Sequence, residues 1–281
     1  MLTFGWFSTG RDEAARRLLS EAWEHIQRGK IPGRIGFVFC SRDKGENPES
    51  DRFIQLAEAS GIPLFSLSAR DWNRTLKKRD AEAWRRDFHR EIAGALEGQK
   101  ADVIVLAGYM LVVSREMCQR FTMINLHPAA PGGPKGTWQQ VIWELIGQGA
   151  EETGVMVHLV TERLDEGPPI TYCTFPLRGD PFDPLWVQMG MKLGFMPLGE
   201  IIQEEGEKNA LFREIRQQGV AREIPLLLLT LKALAEGRVK IEGGKIRDRT
   251  GKEAGALCLN REIKAYLSRP ERGTPRVRLG R

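Results

Sequence analysis

Up to about residue 175 the chain alternates short apolar runs with longer stretches in which apolar residues recur every three or four positions. That alternation restricts the fold more than any other feature. The short runs, at 2–7, 35–40, 64–67, 101–107, 123–126, 154–161 and 170–175, read as strands, several of them apolar on both faces. Between them, 13–27, 50–59, 72–96, 114–121 and 137–146 carry a helical period; in the first, Ala14, Ala15, Leu18, Leu19, Ala22, Trp23 and Ile26 form one face. Strands and helices in alternation predict an α/β class with a mostly parallel sheet flanked by helices. Such sheets bind ligands beyond the carboxyl ends of their strands.

The 281 residues suit one large domain with an appendage. From 183 to 234 the pattern is helical, with Met189, Leu193, Met196 and Ile201 on one segment and Leu211, Ile215 and Val220 on another. A buried helix at 226–234 then ends near Gly237, a C-cap residue. A hairpin is expected at 239–246 around Gly243-Gly244. The net charge is +5, and all of it comes from 264–281, where six basic residues face Glu271 alone. The remainder is neutral, which gives little ground for nucleic-acid binding; the tail from about 268 is expected to be disordered. Cys40, Cys118, Cys173 and Cys258 lie far apart without CxxC spacing, which predicts neither a metal site nor a disulfide framework and fits a reducing cytoplasm. No apolar span of about 18 residues is present, and the N-terminus lacks a basic region before its first strand, so neither membrane span nor signal peptide is expected.

Chemistry concentrates where the strand at 123–126 ends. Asn125 and His127 are two apart, so in an extended chain both point to one face. Pro128 follows, then five more Pro or Gly residues before Thr137, a composition that favours a shaped loop. Asp165, in the turn Leu164-Asp165-Glu166-Gly167-Pro168, offers the carboxylate that a histidine needs. An aspartate on one ring nitrogen raises the imidazole pKa and leaves the other nitrogen as an outward donor. With the Asn125 amide this makes two donors for a developing oxyanion. Neither motif holds a Ser or Cys nucleophile, so the attacking group comes from the substrate, as in acyl transfer to an amine. Read blandly, Asn125 and His127 are structural and Asp165 sits in an ordinary turn. His158, a weaker candidate, lies within a strand and reads as a packed or hydrogen-bonded histidine; His25 and His89 sit on charged helices and read as surface groups. Ser8-Thr9-Gly10-Arg11-Asp12, between strand and helix, is open between a phosphate loop and a plain β–α connection.

Four stretches together carry a resemblance: 101–110 (Ala-Asp-Val-Ile-Val-Leu-Ala-Gly-Tyr-Met), 124–128 (Ile-Asn-Leu-His-Pro), 154–158 (Gly-Val-Met-Val-His) and 164–168 (Leu-Asp-Glu-Gly-Pro). In order and spacing they resemble the phosphoribosylglycinamide formyltransferase family, over about residues 1–178. The resemblance implies a Rossmann-like formyltransferase fold and transfer of a formyl group from 10-formyltetrahydrofolate to the amine of glycinamide ribonucleotide, in purine synthesis, with no metal. It implies that Asn125, His127 and Asp165 are catalytic. It places the folate's pterin at the strand edge of Met110, Leu111 and Val113, and the rest of the folate at the loop of Val160, Glu162, Leu164, Glu166 and Gly167. On the substrate side it places Gly10, Arg11 and Asp12 at the phosphate, Glu223 at the ribose, and Gly108 and Pro128 nearby. The family usually has Gly-Ser-Asn where Gly10-Arg11-Asp12 stands; Arg11 suits a phosphate and Asp12 repels it. It usually has Ser-Leu-Leu-Pro where Ala129-Ala130-Pro131-Gly132 stands. The final helix of the family matches 223–238, so 185–222 reads as a helical insertion in a formyltransferase domain of 1–240, with 241–281 a C-terminal extension. The partners implied are small molecules; monomer and homodimer both stay open. Alternative readings are formylation of a sugar nucleotide or methionyl-tRNA, a non-catalytic folate- or nucleotide-binding homologue, and an RNA-binding module using the basic tail. The tRNA enzymes carry a C-terminal barrel, for which about 40 residues after Val239 are too few. A formyltetrahydrofolate hydrolase usually has an N-terminal regulatory domain, and here the first strand begins at residue 2.

Overall fold

The computed structural model describes residues 1–268. The tail expected to be disordered lies outside them, apart from its first residues. In chain order the first half holds β1 (Leu2–Ser8), α1 (Glu13–Gln27), β2 (Gly33–Cys40), α2 (Pro48–Ala59), β3 (Leu64–Ser66), α3 (Arg74–Arg79), α4 (Ala81–Ala95), β4 (Val103–Leu106), α5 (Arg115–Arg120), β5 (Met123–His127) and α6 (Trp138–Gly147). β6 (Glu152–Leu159), β7 (Pro169–Pro176), α7 (Phe182–Leu193), α8 (Leu198–Glu205), a 3-10 turn at Gly206–Lys208 and α9 (Ala210–Ala235) follow. The hairpin β8 (Val239–Glu242) and β9 (Lys245–Asp248), then β10 (Leu257–Cys258) and α10 (Asn260–Leu267), complete the order.

The main sheet has the order β10-β7-β6-β5-β4-β1-β2-β3. β3, β2, β1, β4 and β5 are mutually parallel; β6 runs antiparallel to β5 and β7 antiparallel to β6; β10 is parallel to β7. Alternation along β1 sends Trp6 to one face and Phe7 to the other. Trp6 packs in a core with Leu19, Phe53 and residues 226–228; Phe7 packs with Phe39, Phe88 and Leu106. Helices therefore cover both faces, as a buried parallel sheet requires. A third core joins Trp143, Phe175, Met189, Ile201 and Phe212, tying α7, α8 and α9 to α6 and the end of β7.

The fold departs from expectation in three places. The single helix expected over 72–96 is two: Asp80 leaves helical geometry and its carboxylate accepts from the Glu82 and Ala83 N–H groups, so the chain stops and restarts there. The helices expected before and after residue 222 are one, α9, which continues through Pro225. Pro225 lacks an N–H for the Ala221 carbonyl, and burial of Pro225, Leu226, Leu227 and Leu228 against the sheet keeps the helix continuous. The boundary expected between insertion and final helix thus falls inside one element. β10 and α10 had no period to announce them; β10 is seated on β7, with Leu259 N–H donating to the Tyr172 carbonyl at 2.8 Å.

Candidate active site

Antiparallel pairing of β5 and β6 sets Asn125 opposite His158. Opposed residues share a face, so Asn125, His127 and His158 leave the sheet on the same side. Asp165 approaches from the 160–168 loop. Its φ of 55° is left-handed, which costs a non-glycine residue on the order of 1–3 kcal/mol. The loop is pinched at its base, where Leu159 N–H donates to the Pro168 carbonyl at 3.0 Å. Only glycine fits at 167: a Cβ there would stand 1.6 Å from the Leu159 carbonyl oxygen.

Asp165 meets both imidazoles. Its Oδ2 is 3.6 Å from His127 Nδ1 and its Oδ1 is 3.5 Å from His158 Nε2, with side chains only 7%, 3% and 2% exposed in that order. Gly136 N–H donates to Oδ2 at 3.4 Å. His127 Nε2 donates to the Pro134 carbonyl at 2.9 Å. A carbonyl only accepts, so the neutral His127 ring carries its proton on Nε2 and turns a bare Nδ1 toward the carboxylate. Two acceptors then face each other, which accounts for a separation longer than a hydrogen bond. His158 Nδ1 donates to the Leu159 carbonyl at 3.0 Å. In the neutral ring its Nε2 accepts from Asn125 Nδ2 at 3.4 Å and so orients that amide.

The electrostatics correct one expectation. Burial lowers the His127 pKa and outweighs the Pro134 carbonyl and Asp165, both of which raise it, so the net shift is downward. The second ring nitrogen does not point outward; the 128–136 loop holds it. Burial opposes ionisation of Asp165 too, but hydrogen bonding from a protonated His158, the charge of a protonated His127 and the Gly136 N–H together hold its carboxyl below the usual carboxylate range. His158, the weaker candidate, is both packed and hydrogen-bonded as expected, and it also belongs to the cluster. Its position opposite Asn125 is a fact of strand pairing, which no local pattern reports. His89 is likewise not a surface group but 1% exposed.

The other singled-out residues fall into three groups. Leu111, Val113 and Val160 join one apolar cluster, with Met110 exposed beside them. On the 160–168 loop, Glu162 pairs with Arg115 at 3.1 Å, Glu166 with Lys135 at 2.9 Å, and Leu164 is exposed. At the start of α1, Asp12 is the N-cap, accepting from Ala15 N–H at 3.1 Å, and it holds Arg11 at 3.0 Å. Thr9 N–H donates to the Gly108 carbonyl and Thr9 Oγ1 accepts from Met110 N–H, both at 3.0 Å, so this loop adjoins Gly108. Pro128 follows His127 directly, half-buried. Glu223, on α9, pairs with Arg216 at 2.6 Å, and that guanidinium lies over Trp138. Among the described residues no cluster of His, Cys, Asp and Glu is arranged to hold a metal ion, and no helix is long and apolar enough to cross a membrane.

A family model described as formyl transferase matches residues 14–177. The match includes Asn125, His127, His158 and Asp165; it leaves out the loop before α1 and everything from α7 onward. Phosphoribosylglycinamide formyltransferase of Escherichia coli is 28% identical over 151 residues, 53% of this chain and 62% of that protein. The same-named protein of Schizosaccharomyces pombe is 32% identical over 131 residues, 44% of this chain and 62% of that protein. The chain thus spans about three fifths of the length of these curated relatives. Among solved structures, phosphoribosylglycinamide formyltransferase from Coxiella burnetii aligns with a TM-score of 0.64 at 18% identity, covering 92% of this chain and 98% of that one. A formyltetrahydrofolate deformylase from Pseudomonas syringae aligns with a TM-score of 0.58 at 18% identity, covering 87% and 64%. At such identities the likeness is one of fold, common to transferases and deformylases. The family model spans more than half of the chain and takes in the whole cluster around Asp165, and on that ground this protein belongs to the formyl transferase family.

Proposed function

We propose that this protein transfers a formyl group from 10-formyltetrahydrofolate to the amine of glycinamide ribonucleotide, a step of purine biosynthesis, in the cytoplasm and without a metal. The observation that carries the reading is the pairing of Asn125 and His127 at the end of β5, backed by a buried, ionised Asp165. The names of the curated relatives support glycinamide ribonucleotide as the acceptor, and the free thiols fit the cytoplasm.

In this reading the substrate amine attacks the formyl carbon, a C–N bond forms, and the bond from that carbon to N10 breaks. The amine proton passes through water to the departing N10 with the help of Asp165, which also stabilises the protonated His127 ring. Asn125 Nδ2 and His127 Nε2–H donate to the formyl oxygen as charge develops there. His127 must first exchange the Pro134 carbonyl for that oxygen. The glycines at 132 and 136, with φ of 80° and 100°, let the 128–136 loop take a second shape. The folate lies along Met110, Leu111 and Val113 and under the loop of Val160, Glu162, Leu164, Glu166 and Gly167; the clustering of Leu111, Val113 and Val160 suits its apolar ring. Arg11 meets the acceptor's phosphate beside Gly10 and against the charge of Asp12, with Gly108, Pro128 and Glu223 lining the rest. The formyltransferase domain is taken as 1–240, with 185–222 an added helical lobe and 241–281 an extension.

The test mixes purified protein, 10-formyltetrahydrofolate and glycinamide ribonucleotide, and follows tetrahydrofolate against a control without acceptor. Acceptor-dependent release is the expected result. Equal release without acceptor would make the protein a hydrolase, and donor binding without release would send the search to other amines.

A further inference from the structure

We propose that His89 is a positioning residue that sets the shape of segment 109–114, the stretch assigned above to the formyl donor; the inference rests on that assignment. The segment leaves β4 at Gly108, whose φ is 70°, and ends at Ser114, the N-cap of α5. Between these points it belongs to no strand or helix. Both of its ends come to one imidazole. Tyr109 Oη lies 3.1 Å from His89 Nε2, and Ser114 N lies 3.3 Å from His89 Nδ1. The ring is anchored in turn to α4, with Nδ1 2.9 Å from the Arg85 carbonyl.

A carbonyl only accepts, so the 2.9 Å contact places the ring proton on Nδ1 and leaves Nε2 to accept from the Tyr109 hydroxyl. The opposite tautomer would accept from Ser114 N–H and donate to Tyr109. Either way the ring ties Tyr109 to a second fixed point. Burial pushes the His89 pKa down to about 4, so the ring keeps one donor and one acceptor near neutrality. His89 packs against Phe88 and the Tyr109 ring, where a purely apolar side chain would fill the same space. What the imidazole adds is the hydrogen bond that fixes Tyr109, whose hydroxyl would otherwise be buried unpaired. Between Tyr109, which the ring holds, and Ser114, which caps α5, Met110 is exposed and Leu111 and Val112 are half-buried, so these residues are presented to solvent. Their placement follows from the clamp, and His89 itself stays behind the site.

The experiment compares His89→Phe, which fills the space without hydrogen bonds, with His89→Gln, which keeps a donor and an acceptor. It measures KM for 10-formyltetrahydrofolate and for the acceptor, kcat, and calorimetric binding of tetrahydrofolate. The Phe variant is expected to raise donor KM and Kd by about tenfold, with kcat and acceptor KM within about twofold, and the Gln variant to recover most of the loss. Should the Phe variant fold poorly, Tyr109→Phe removes the hydroxyl alone and carries the same expectation. Donor binding unchanged in His89→Phe or Tyr109→Phe overturns the proposal, as does a uniform loss across kcat and both KM values that Gln does not relieve. A wild-type protein that binds no folate overturns the functional reading first, and the clamp's role with it.

Discussion

His127 holds its one ring proton on the side away from Asp165, and that detail shapes what substitutions should do. Removing either oxyanion donor, by His127→Ala or Asn125→Ala, should lower kcat by about a hundredfold to a thousandfold. A near-normal rate in the His127 variant, with a wild-type melting curve, would take His127 out of the mechanism. Asp12 is the second informative residue. Its carboxylate caps α1 and neutralises Arg11 at the place proposed for the acceptor's phosphate. Asn caps a helix about as well as Asp. Asp12→Asn should therefore leave stability nearly unchanged, free Arg11, and lower KM for glycinamide ribonucleotide by up to about fivefold. A raised KM would mean that the phosphate does not lie over this loop. The pair Asn125 and His127 was legible in the sequence because residues two apart on a strand share a face. His158 was not, because its place opposite Asn125 depends on a register between strands separated by a helix and two loops.

At the scale of elements, the site is made by two loops that follow neighbouring strands. The 128–136 loop holds His127 through the Pro134 carbonyl; the 160–168 loop delivers Asp165. Gly136 N–H to Asp165 and Lys135 to Glu166 fasten one loop to the other. Gly167 is where the second loop is most tightly constrained, since a Cβ would collide with backbone rather than with a movable side chain. Gly167→Ala should destabilise by about 1–3 kcal/mol in a urea titration and cost more in activity than in stability, because opening the loop withdraws Asp165. Equal activity per folded molecule would show that the loop tolerates a second shape with Asp165 in place. The strands and most helices were legible because continuous apolar runs and a three-to-four spacing are local properties. The break at Asp80 and the continuity of α9 through Pro225 were not: one turns on a capping geometry, the other on burial against β6 and β7.

Across the whole molecule, buried histidines link stability to pH. His89 and His127 both titrate, when folded, below the value of about 6.5 typical of an unfolded chain. Between that pH and their folded values the unfolded chain binds protons that the folded chain refuses. Stability is then full above about pH 6.5 and falls as the pH drops toward 4, with His89 contributing about 3 kcal/mol of the loss at its full shift. Urea midpoints measured from pH 7 to 4.5 should decline, and His89→Phe should flatten the decline; parallel curves would show that His89 is not the linked group. By itself the sequence determined the α/β class, the order of β1 to β7 with their helices, and the Asn125–His127 pair, since each follows from periodicities that a short stretch of chain carries alone. Tertiary structure decided the sheet order, the antiparallel entry of β6 that adds His158, the seating of β10 on β7, the proton position on His127 and the burial of His89. Those depend on which distant residues are brought together and how much water they lose, and neither quantity is written in the spacing of residues along the chain.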